Sequence, residues 1–179
     1  MAACGGPAAT AVSPTNLGAA NPPSQFAAVD WANREYKIFM ATQSFATFAF
    51  KGGRYADSEN VLQVASPVYL DVTGDGVDDA LLPLQIDEAE TALERGSPRF
   101  HSFLVFTIVN GEVVHLGELP MMTCGPLRAE VEGEWLRITS TRRGKPEDMC
   151  GGPERFERYR WHGTWFVNRD NDEVGGKAP

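Results

Sequence analysis

Phe103-Leu104-Val105-Phe106-Thr107-Ile108-Val109-Asn110-Gly111-Glu112-Val113-Val114-His115-Leu116 is the stretch that decides the fold class. Its first half carries apolar side chains at both odd and even positions, so a strand over Phe100–Val109 is expected to be central and covered on both faces. Asn110-Gly111 then brings glycine to a tight reversal that needs positive φ. Val113–Leu119 is expected to return antiparallel beside the first strand.

The same turn chemistry recurs on either side. Lys51-Gly52-Gly53-Arg54 and Trp161-His162-Gly163-Thr164 each set a glycine-bearing pair between strand-like runs. Glu132-Gly133-Glu134-Trp135 puts glycine first, the order that suits a type II′ turn. Phe45–Phe50, Val61–Val72, Ala80–Ile86, Leu127–Val131, Trp135–Thr141, Arg155–Trp161 and Trp165–Val167 are rich in aromatic and branched residues, as strands are. Leu127, Ala129 and Val131 alternate with Arg128, Glu130 and Glu132, the pattern of a sheet with one wet face. Asp30–Tyr36, with a capping Asp, and Asp87–Gly96, with acids first and Arg95 then Gly96 last, carry helix signals. The expected fold is mainly β, a single antiparallel β-sandwich or curved-sheet domain with one or two short helices.

Composition sets the boundaries. The chain has 179 residues, a net charge of -8 and a pI of about 4.9. So acidic a surface repels phosphate backbones, and nucleic acid is not an expected partner. No apolar run reaches the roughly 20 residues of a membrane-spanning helix. Residues 4–25 consist almost wholly of Ala, Gly, Pro, Ser, Thr and Asn and carry no charge, so they cannot bury enough surface to offset their ordering entropy. Residues 1–25 are therefore expected to form a tether, 26–169 the β-rich domain, and 170–179 a flexible tail.

The cysteines are three, at Cys4, Cys124 and Cys150. Met1-Ala2-Ala3-Cys4-Gly5-Gly6 resembles the end of a bacterial lipobox, with Met1 where leucine is usual. The resemblance implies an exported lipoprotein whose signal peptide has been removed and whose Cys4 carries the acyl chains, anchoring the chain to a membrane. Gly5, rather than Asp, is similar to lipoproteins passed on to the outer membrane. The expected address is thus outer-membrane-anchored, periplasmic or cell-surface. In such an oxidising place a Cys124–Cys150 disulfide would contribute about 3–4 kcal/mol by loop closure. In a cytosolic chain the same two cysteines would be reduced thiols.

Asp71-Val72-Thr73-Gly74-Asp75-Gly76-Val77-Asp78-Asp79 follows the spacing D-x-[DNT]-x-D-G-x-x-D. Oxygens at Asp71, Thr73, Asp75, the Val77 carbonyl and Asp79 suit a hard cation such as calcium. The stretch resembles the calcium loops of FG-GAP (integrin-type) repeats, in which a strand leads into the loop and an apolar strand leaves it. It also looks like the single glycine–aspartate turn of small bacterial exported proteins of unknown activity. One motif does not make a propeller. Leu82 at the twelfth position disfavours an EF-hand, which needs Glu there. With Thr73 neutral, a calcium site would be weak and structural, roughly 0.1–1 mM. A metal-free turn, held by Asp and Thr side chains on backbone N–H groups, is the alternative.

No catalytic constellation stands out. His101, His115 and His162 lack zinc-motif spacing, and neither a phosphate-binding loop nor a nucleophile elbow is present. Near the C-terminus, Phe156, Tyr159, Trp161, Trp165 and Phe166 interleave with Arg155, Arg158 and Arg160. Arg158, Arg160, Trp161 and Trp165 make a candidate binding surface, unless these rings belong to the core of the last hairpin. The expected function is a non-catalytic envelope lipoprotein that contacts another envelope protein. A carbohydrate-binding module comes second, and a hydrolase of unknown type third.

Overall fold

The computed structural model describes residues 22–40, 44–88, 100–119, 126–141 and 153–169. The chain is mainly β, its sheets are antiparallel, and one of them curls strongly into half a barrel. The central sheet runs β3 (Arg54–Ala56), β4 (Asn60–Val64), β6 (Asp79–Glu88), β7 (Phe100–Val109), β8 (Glu112–Glu118), with β5 (Val68–Leu70) also paired to β6. A hairpin of β1 (Glu35–Phe39) and β2 (Phe45–Ala49) forms a second sheet. The third is ordered β12 (Phe166–Asn168), β11 (Glu154–Trp161), β10 (Trp135–Thr141), β9 (Pro126–Glu132).

The expectation of a doubly covered strand holds for β7 and extends to β6. Ala80, Leu82, Leu84, Ile86, Leu104 and Phe106 join one core with Tyr36, Ile38 and Phe48 of the β1–β2 hairpin. Leu81, Phe103 and Val105, one residue out of phase, join a second core with Leu136, Ile138 and Tyr159 of the β9–β12 sheet. Alternation along two strands thus feeds two cores on opposite faces. Each fully buried leucine contributes about 1.5–3 kcal/mol by leaving water. The N-terminal side of the first core is closed by a 3-10 turn at Ser24–Phe26, whose Phe26 ring packs on Trp31 at 5.7 Å and on Tyr69 at 5.4 Å.

The β7–β8 and β9–β10 hairpins follow from their glycines. Asn110 (φ 53) and Gly111 (φ 82) are both left-handed, the conformation of a type I′ turn. Gly133 (φ 63) occupies the first central position between Glu132 and Trp135, as a II′ turn requires. Of the other two glycine turns, the one after Trp161 is shifted by a residue from expectation. His162 N–H donates to the Trp165 carbonyl at 2.9 Å, so the reversal centres on Gly163-Thr164, Trp165 lies in the turn and β12 starts at Phe166. Gly52 (φ 59) and Gly53 (φ 77) also close a tight reversal, in which Lys51 and Arg54 exchange both backbone hydrogen bonds at 3.0 and 3.2 Å, and the turn passes the chain from the β1–β2 sheet to the central one.

One further expectation is corrected, and a second falls largely outside the described residues. Asp30–Tyr36 is not helical: Asp30 Oδ1 accepts the N–H groups of Ala32 and Asn33 at 3.1 Å, closing a turn, and the chain then extends. Tyr36 and Ile38 point inward while Glu35, Lys37 and Phe39 stay exposed, a period of two. Trp31 and Tyr36 are nevertheless both buried. In Asp87–Gly96, Asp87 and Glu88 are the last residues of β6, and residues 89–96 lie outside the described ones.

Val61–Val72 is one run in the sequence but two strands in the fold. β4 pairs with β6 through Val64↔Leu84 and β5 through Val68↔Leu81, so both lie along the same edge with Ala65-Ser66-Pro67 between them. Ala65 N–H donates to the Pro83 carbonyl at 3.1 Å. A strand residue's N–H and C=O point to the same side, so the donor that Pro83 lacks falls at this break. That is how a proline is accommodated in a central strand.

Candidate functional site

Two places bear on function. The first is the loop between β5 and β6, whose last rung pairs Leu70 with Asp79. Asp71 Oδ1 accepts the N–H of Gly74 at 2.7 Å and of Asp75 at 3.2 Å, and its Oδ2 accepts that of Gly76 at 2.9 Å. Asp75 Oδ1 takes Val77 N–H at 2.8 Å. Asp79, fully buried, reaches back under the loop, and its Oδ2 accepts the N–H groups of Val72 and Thr73, both at 3.0 Å.

Burial pushes the Asp79 carboxyl above the usual carboxylate range, and the Thr107 and Thr73 hydroxyls beside it, with those N–H groups, act the other way. Asp79 Oδ1 and Thr73 Oγ1 are buried without a well-aligned hydrogen bond. The Val77 side chain is exposed. Among the described residues no three His, Cys, Asp or Glu side chains converge as a metal site. Asp71, Asp75 and Asp79 each serve backbone donors of the loop, so the donor set as arranged does not fit a shared calcium.

The second place is the outer face of the β9–β12 sheet. Residues directly opposite across a ladder share a face, so Arg137 and Arg158, paired in register, stand together with Trp135, Phe156 and Arg160. Two arginines side by side repel. Glu132 straddles them, meeting Arg137 Nη1 at 2.8 Å and Arg158 Nε at 3.1 Å, and these two contacts hold its carboxyl below its ordinary range. The same guanidinium groups lie over the Phe156 ring at 4.6 and 4.7 Å. Arg160 pairs with Glu134 at 3.0 Å and lies over the Trp135 ring at 4.9 Å. Phe156 nonetheless remains 44% exposed.

The candidate surface is therefore divided. Arg158 and Arg160 are on this face. Trp161 shares the opposite face with buried Tyr159 and packs on Phe166 at 5.0 Å. Trp165 sits at the β11–β12 turn, 58% exposed and stacked on His162 at 5.4 Å. Glu132, Trp135 and Arg137 complete the face and escape a reading confined to the C-terminal run. The alternation of Trp135, Arg137 with Leu136, Ile138 is the signal that locates them.

The histidines do other work where their contacts are known. His115 stacks on Phe106 at 4.8 Å with Nε2 2.9 Å from the Gly117 carbonyl, and burial lowers its pKa. Cys4, Cys124 and Cys150 lie outside the described residues. Comparison with known proteins found no matching family model, no matching curated protein and no matching solved structure.

Proposed function

We propose that this chain is a non-catalytic interaction module of the cell envelope, displayed from a lipid anchor on Cys4, which receives a protein partner on the outer face of β9–β12. The observation that carries the reading is Phe156, an exposed ring held on a strand beside two guanidinium groups that one glutamate fixes in place. Aromatic and arginine side chains concentrate in protein interfaces. Here they are already ordered, so association loses less side-chain entropy than a set of free arginines would. The uncharged stretch 4–25, ending beside buried Phe26, supports the tether.

The second reading, a glycan module, rests on Trp165, whose exposed indole at a turn tip offers a flat apolar face to the C–H groups of a sugar ring. The loop at Asp71–Asp79 is structural in either case.

Native lipidated protein, cross-linked in membranes and purified, separates them. A protein partner captured by the wild type, lost with Phe156→Ser and kept with Trp165→Ala, is expected. Polysaccharide recovered without protein, and lost with Trp165→Ala, supports the glycan module instead and discards the first reading.

A further inference from the structure

The Asp71–Asp79 loop has the residue spacing of a cation loop, yet its carboxylates are committed elsewhere. We infer that it is a metal-independent clamp, in which Asp71 and Asp79 gather the loop's own N–H groups and so do the work that a calcium ion does in loops of this spacing. This stands apart from the choice of partner or ligand on the β9–β12 face.

In a cation loop, carboxylates around a common centre repel one another until the ion neutralises them. Here the acids are assigned separately. A carboxylate offers about four lone-pair sites, and Asp71 spends three of them on Gly74, Asp75 and Gly76. Successive N–H groups turned inward form a concavity that attracts an anion, and Asp71 is that anion. Gly74 (φ 77) and Gly76 (φ 86) take the left-handed conformations that turn these groups inward.

Asp79 leaves the set in a second way. It is fully buried, and its Oδ2 holds Val72 and Thr73 at the start of the loop. Turning it outward to a shared cation would strip both N–H groups of this acceptor and pull a side chain out of the packing beneath Val72, itself a member of the second core. Thr73, the neutral member of the spacing, has its hydroxyl buried beside the same carboxylate. Of the three carboxylates in the spacing, Asp75 is the exposed one, bound to Val77 N–H. One exposed carboxylate beside an occupied one is a poor cage for a hard cation, which takes six to eight oxygens.

The experiment uses the full chain, stripped of metal with a chelator, then melted with and without about 5 mM calcium chloride, well above the weak extracellular range. The melting temperature of the wild type is expected to be the same in both within about 1 °C, with no heat in a calorimetric titration of calcium. Asp71→Ala is expected to melt several degrees lower, by the same amount in both conditions. Calcium raising the wild-type melting temperature, as any ligand of the folded state must, overturns the inference, the more so if Asp75→Ala removes the rise. So does an Asp71→Ala variant that melts with the wild type in chelator. If Asp71→Ala does not fold at all, the wild-type titration still decides.

Discussion

Asp79 brings a carboxylate into the protein interior and ties down two backbone N–H groups with one of its oxygens. Its pKa is raised by that burial. A carboxyl with a higher pKa in the folded than in the unfolded chain binds its proton more tightly when folded. Its stabilising contribution is therefore complete below the ordinary carboxylate pKa and is lost as pH rises through the raised value. Asp79→Asn keeps an oxygen for Val72 and Thr73 and adds a donor beside the Thr73 hydroxyl, without a charge to bury. Thermal melts between about pH 4 and pH 7 are expected to show Asp79→Asn gaining on the wild type as pH rises. The reverse trend would mean the ionised form is the favoured one inside. In the sequence, spacing shows where Asp79 stands along the chain but not which way it turns, because that depends on Thr107, 28 residues further on, arriving beside it.

At the scale of elements, the hairpins were the most legible part of the fold, and the reason is steric. Type I′ and II′ reversals need residues that tolerate positive φ, which leaves glycine and asparagine as visible marks at Asn110-Gly111 and Gly133. Gly111→Val forces a branched residue into a left-handed conformation and is expected to cost about 1–2 kcal/mol, read as a lower urea midpoint with an unchanged slope. No change in midpoint would show that the turn relaxes freely. Less legible was β1, because Asp30 gives a helix-cap signal that is satisfied here by a single turn. The break between β4 and β5 was hidden for another reason. Pro67 and Pro83 are plain in the sequence, but only register brings the gap around one opposite the missing donor of the other. The binding surface shows how small a slip matters. Arg158 and Arg160 share a parity that Trp161 does not, and one position along a strand moves a side chain to the other face.

For the whole molecule, β6 and β7 are the common wall of both cores. Leu82 faces the β1–β2 hairpin and Leu81 the β9–β12 sheet, and both are fully buried. Leu82→Ala and Leu81→Ala are each expected to cost about 2–5 kcal/mol and to shift one and the same unfolding transition, followed by tryptophan fluorescence and by circular dichroism. Two transitions, each moved by only one of the substitutions, would show that the layers unfold independently. Two-sided burial of β7 was readable from its unbroken apolar run. Which sheet covers which face was not, since that is settled by contacts between segments far apart in the chain.

The 3-10 turn at Ser24–Phe26 acquires a further meaning when the chain is considered under load. Phe26 is the first buried side chain among the described residues, wedged against Trp31 and Tyr69, and Gln25 Nε2 holds the Asp78 carbonyl at 3.3 Å. A pull from the N-terminal side meets this knot before it meets any strand. The knot's contacts belong to no strand ladder, so losing them would free a few residues without breaking a rung between β6 and β7. On the lipid anchor proposed above, force would enter the domain at Phe26 and pass, by way of Gln25 and the Asp78 carbonyl, to the Asp71–Asp79 loop ahead of the sheets.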